Sequence, residues 1–183
     1  TSSATSTLAV TVAADADAPT LSTSAASGTE DTAIALSISS ALTDTDGSET
    51  NTITITGVPA GATLSAGTTN GGGSWTLTPA QLSGLTITPP ANSDADFTLT
   101  VIATATEANG GDTASTTSTL AVTVAADADA PALGASAVSG SEDSAIALSI
   151  SSVLTDTDGS ETQSIVLTGV PAGATLSAGT DNG

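Results

Sequence analysis

The sequence predicts an all-β fold built as tandem antiparallel β-sandwiches. Three observations carry this: apolar side chains alternate with period two, turn residues recur roughly every 8 to 12 positions, and a long segment repeats itself. In chain order, Ile34, Leu36 and Ile38 alternate with Ala35 and Ser37. Ile53 and Ile55 share one face of a strand whose other face carries Thr52, Thr54 and Thr56. Trp75 and Leu77 lie two residues apart on another strand, so both turn to one face and Trp75 reads as a core anchor. Phe97, Leu99, Val101 and Ala103 repeat the alternation, and Leu120, Val122 and Val124 close the series. Turns fall at VPAG 58–61, NGGGS 70–74 and PPANSDAD 89–96, where Gly supplies positive φ and Pro interrupts a ladder. Seven to eight strands per module are expected, and their number and length match an immunoglobulin-like sandwich of about 100 residues.

The repeat sets the domain organisation. Residues 1–71 align without a gap to 113–183, an offset of 112, with 57 of 71 positions identical. The chain therefore divides into the last strand of a preceding repeat at 1–14, a linker at 15–18, and a complete repeat at 19–126. A second linker at 127–130 and the first half of another repeat at 131–183 follow.

Composition excludes several functions. The 183 residues include 19 Asp plus Glu and no Lys, Arg, His or Cys, a formal charge of −19. Nucleic-acid affinity comes mainly from Lys and Arg neutralising phosphates, so no nucleic-acid partner is expected. Anionic membrane surfaces are excluded for the same reason, and no apolar run is long enough to span a bilayer. Without His or Cys there is no imidazole or thiolate ligand, no disulfide, and no histidine base for a nucleophile. The chain is expected not to be an enzyme. Charged residues are nevertheless only 10% and hydrophobic residues 38%, so a core can form. One Trp and one Phe make that core aliphatic.

The acids are grouped at strand ends and linkers: Asp15 and Asp17; Glu30 and Asp31; Asp44, Asp46 and Glu49; Asp94 and Asp96; Glu107 and Asp112. The series then repeats as Asp127 and Asp129, Glu142, and Asp156, Asp158 and Glu161. Carboxylates held close together repel unless a cation lies between them, and this chain has no basic side chain to supply one. Oxygen-only ligands of flexible geometry favour Ca2+. DTDGSE at 44–49 begins like an EF-hand loop but has Ser48 where a third acid is usual, so it is not one. The spacing suits a junction site instead, with Asp127 and Asp129 from the linker, Asp156 and Asp158 from the following module and Glu30 from the preceding one. Asp31, Asp94, Asp96 and Asp112 read equally well as turn or cap residues.

The stretch from Ala103 through Glu107, GGDT, STLAVTV and DADAP at 127–131 resembles the ending of a cadherin domain. Glu30 and the Asp44-x-Asp46-Gly loop extend the likeness. The strings GTEDTAIALSIS, LTDTDGSE, GVPAGATLSAGT, WTLTPAQLSGLTITPP and DFTLTV are similar to the cadherin-like and VCBS-type repeats of large bacterial RTX adhesins, and they cover most of 19–126. The resemblance implies a type I secreted, extracellular stalk on the bacterial surface, used in attachment or biofilm formation. It further implies Ca2+ at module junctions, Glu107 among the ligands, and neighbouring repeats or other adhesin copies as partners. The DADA linker departs from the cadherin Asn-Asp pair. Two other readings remain: a module that binds a glycan or protein directly, and a surface-layer or filament subunit.

Overall fold

A computed structural model describes residues 1–182, and the chain divides into two compact units, Thr1–Asp127 and Ala128–Gly183. Among the described residues the fold is all-β apart from a single 3-10 turn at Pro79–Leu82.

The first unit contains the strands β1 (Thr20–Ser24), β2 (Ala26–Thr29), β3 (Ile34–Ala35), β4 (Ser37–Ala41), β5 (Glu49–Thr56) and β6 (Thr63–Leu64). These are followed by β7 (Thr68–Gly71), β8 (Ser74–Leu77), β9 (Thr86–Thr88), β10 (Phe97–Glu107) and β11 (Thr113–Ala125). One sheet has the order β2-β11-β10-β5-β8-β7; β3-β9-β6 and β1-β4 form the smaller sheets. Eleven strands stand where seven to eight were expected, two of the additional ones arising where a run is broken in passing between sheets. Residue 25 separates β1, paired with β4, from β2, paired with β11, and Leu36 separates β3 from β4. That crossing also makes β2 parallel to β11, the one pair in the unit that is not antiparallel.

The period-two alternation decides which face is buried. Ile53 and Ile55, Leu77, Leu99 and Val101, and Leu120, Val122 and Val124 project from the six-stranded sheet. Ile34, Leu36, Ile38, Leu64 and Ile87 meet them from the smaller sheets, giving one aliphatic core. Ile53, Ile55, Ile87, Leu99 and Val101 are fully buried. Trp75 is half-buried and packs against this core opposite Ile55. The turn between β7 and β8 is Gly72–Gly73 with φ of 61° and 75°, the positive-φ pair that a two-residue hairpin requires.

Gly28 permits the close packing of β2 on β3. A Cβ there would lie 2.6 Å from Ile34 Cγ1, and the same clash recurs at Gly140, 2.5 Å from Ile146 Cγ1. Gly28→Ala is therefore expected to destabilise the protein by about 1–3 kcal/mol through overpacking. A denaturant midpoint equal to wild type would contradict this.

Residues 1–14, expected as a final strand, carry no strand assignment, and Leu8, Val10 and Val12 are exposed. Their copies Leu120, Val122 and Val124 are buried because β11 lies between β10 and β2; residues 1–14 pair with neither. The second unit contains β12 (Ala132–Ser136) and β13 (Ser149–Val153), paired antiparallel in the register of β1 and β4. Residues 161–168, the copy of β5, are not a strand among the described residues, and Ile165 is exposed where Ile53 is fully buried. In the first unit β5 is held between β10 and β8, whereas among the described residues no strand pairs with 161–168.

Candidate metal centre

The register of β5 and β10 places Glu49 directly opposite Glu107. Residues opposite one another on adjacent strands point to the same face with Cβ atoms about 5 Å apart. Both side chains turn inward, Glu49 at 7% and Glu107 at 4% exposure. The inward orientation follows from sequence parity: Glu49 continues the Ile53 and Ile55 face, and Glu107 the Val101, Ala103 and Ala105 face.

One oxygen of each carboxylate is satisfied. Glu49 Oε1 accepts the Asp17 N–H at 2.7 Å, and Glu107 Oε1 accepts the Ser48 hydroxyl at 3.3 Å. The other oxygen of each, Oε2, is buried with no hydrogen-bond partner among the described residues. Removing an ionised carboxylate from water costs several kcal/mol in effect, and two side by side add Coulomb repulsion. The chain has no basic side chain to offset either term. These are hard oxygen donors, the kind a Ca2+ ion takes in sets of about 6–8.

The surrounding acids are fixed by the backbone. Asp44 Oδ1 accepts the Asp46 N–H, and Asp46 Oδ1 accepts the Ser48 N–H, so the DTDGSE loop curls around its own carboxylates. Asp112 Oδ2 accepts the Ala16 N–H at 3.1 Å, which ties the 15–18 linker to this end of the sandwich. Asp112, which by sequence suits a ligand or a turn residue equally, is carried beside Glu107 by the β10–β11 hairpin, where Glu107 N–H bonds Asp112 O.

Hydrogen bonding holds two of these carboxyls below their ordinary value of 3.8: Asp46 through the Ser48 hydroxyl and N–H, and Asp112 chiefly through the N–H groups of Ala16 and Thr113. A folded-state value below the unfolded one contributes stability that is present above pH 3.8 and lost as pH falls through the folded value. Asp46→Asn removes that contribution, so its stability is expected to fall less steeply than wild type as pH drops from near 4. Parallel acid-unfolding curves would contradict the assignment.

Glu30 occupies the opposite end of the β10–β11 ladder, roughly 40 Å away at about 3.4 Å per residue. It is fully buried, its N–H bonds Ala125 O, and its Oε1 accepts the Asp127 N–H at 2.8 Å. The start of the second linker is thus fastened to the first unit. Two neighbouring acids are structural caps: Asp31 accepts the Asn92 N–H, and Asp96 accepts the Val124 N–H.

In the second unit the pattern is partly repeated. Asp129 N–H bonds Glu161 Oε1 as Asp17 bonds Glu49, and Glu161 Oε2 is buried without a partner among the described residues. Asp156 accepts the Asp158 N–H, and Asp158 accepts the Ser160 N–H. Glu142, the copy of Glu30, is exposed. In the first unit Glu30 N–H bonds Ala125 O at the end of β11, and among the described residues no such strand bonds Glu142.

Comparison of the chain with protein-family models, with curated proteins and with solved structures finds no match.

Proposed function

We propose that this chain is a calcium-rigidified extender, the spacer of a secreted bacterial surface adhesin rather than its recognition head. The observation that carries the calcium reading is the Glu49–Glu107 pair, two inward-turned carboxylates whose Oε2 atoms have no donor in a chain free of Lys, Arg and His. The ion would take Glu49, Glu107, Asp46 and the linker acids Asp15 and Asp17 at one end of a module. Glu30, Asp127, Asp129, Asp156, Asp158 and Glu161 form the corresponding junction set in the sequence. Asp44, hydrogen-bonded within its own loop, and Glu142 complete the repeat series.

The spacer reading is supported by the repeat and by the linker contacts. Ala16 and Asp17 are bonded to one module's acids through their N–H groups, and Asp127 is bonded to Glu30 in the same way. Calcium shared by linker and module acids would set the direction in which the chain leaves each sandwich. Without it, unbalanced carboxylates leave the linkers loose. Secretion and adhesion rest on the family resemblance alone.

Small-angle scattering on the full chain, with calcium and then with excess chelator, tests this. Chelator is expected to broaden the distribution of inter-module distances and to lower the melting temperature. Identical scattering and melting in both buffers would overturn the proposal.

A further inference from the structure

The chain contains two Asn–Gly pairs within the described residues, Asn70–Gly71 and Asn109–Gly110, and they sit in opposite environments. Asn–Gly is the dipeptide most open to intramolecular attack on the Asn side chain, because Gly leaves the following amide nitrogen unhindered.

Asn70 lies in β7, its Nδ2 donating to Thr76 Oγ1 at 2.9 Å and Ser74 Oγ at 3.3 Å. The Gly71 N–H, the group that would attack, donates to Thr69 Oγ1 at 3.2 Å. Both reacting groups are held apart by bonds that must first break. Asn109 is exposed at the tip of the β10–β11 loop and makes no side-chain hydrogen bond among the described residues. The loop is pinned only at its base, where Glu107 N–H bonds Asp112 O and Ala108 N–H bonds Ser48 O, both at 2.9 Å. A Cβ on Gly110 would meet nothing within 4 Å, so the tip has room to turn.

We propose that Asn109 is a site of spontaneous deamidation. The Gly110 nitrogen attacks Asn109 Cγ, a new C–N bond forms, and the Cγ–Nδ2 bond breaks. Ammonia leaves, carrying the proton from the Gly110 nitrogen. Water then opens the succinimide at either carbonyl, leaving aspartate or isoaspartate. Either product adds a carboxylate two residues from Glu107 and three from Asp112, and isoaspartate also lengthens the backbone between them by a methylene. The chemical step is independent of the calcium reading; its effect on calcium affinity rests on that reading.

The full chain is aged in mildly alkaline buffer with chelator and cut with a glutamate-specific protease, since without Lys or Arg trypsin has no site. Cleavage after Glu107 and Glu142 releases 108–142, whose only amide side chain is Asn109, and cleavage after Glu49 and Glu107 releases 50–107 with Asn70. The expected result is replacement of NH by O in 108–142 several-fold faster than at Asn70, with the product methylated by an isoaspartyl methyltransferase. Asn109→Gln should abolish that mass gain. Equal or faster change at Asn70, or an unaltered 108–142 peptide, would overturn the proposal.

Discussion

Replacing Glu107 by Gln is expected to raise the melting temperature in chelator and to lower it in saturating calcium. In chelator, Glu107 and Glu49 face each other with buried, donorless Oε2 atoms. A Gln of the same shape removes one of the two charges and brings an N–H₂ donor to the position opposite Glu49. A hydrogen bond to a charged group contributes about 1.5–3 kcal/mol, which sets the expected gain. In calcium, on the proposed reading, the same change removes a charged ligand. An ion present at a hundredfold excess over its dissociation constant stabilises the folded state by about 2.7 kcal/mol, and weakened binding forfeits part of this. A purely structural Glu107 would give a shift of one sign in both buffers, so thermal unfolding under the two conditions separates the accounts.

The second large effect is in the core. Leu120→Ala is expected to cost about 2–5 kcal/mol, whereas Leu8→Ala, in the same local sequence TSTLAVTV, is expected to cost almost nothing. Leu120 is 1% exposed, paired across from Leu99 and packed against the smaller sheets, whereas Leu8 is 88% exposed. Chemical denaturation of the two variants checks this. Similar losses would mean that residues 1–14 are packed as β11 is.

These two leucines also show what the sequence made legible. Alternation identified the inward side of β5, β10 and β11 residue by residue, and the Gly-rich turn at 72–73 fell inside NGGGS. Alternation measures what a strand would bury if paired; it does not supply the partner. Leu8 and Ile165 have the pattern of Leu120 and Ile53 without the neighbouring strands that exclude water. The splitting of β1 from β2 and β3 from β4 was equally hidden, because passing from one sheet to another depends on tertiary packing around Leu36 and Gly28.

For the site, grouping showed that acids collect at module ends, and it marked Glu49 and Glu107 as separate members of different groups. Only the β5–β10 register brought those two face to face, because a pairing 58 residues apart in sequence is fixed by the whole sheet. The same register explains Asp112, which hairpin geometry carries back beside the linker. Asp31 and Asp96 resolved as caps of backbone N–H groups.

A calorimetric calcium titration of the full chain, run beside a Glu49→Gln/Glu107→Gln double variant, tests the central claim most directly. Saturable calcium binding by the wild type, with at least one site fewer in the double variant, is the predicted result. No binding heat in the wild type, or the same stoichiometry in both proteins, would contradict it.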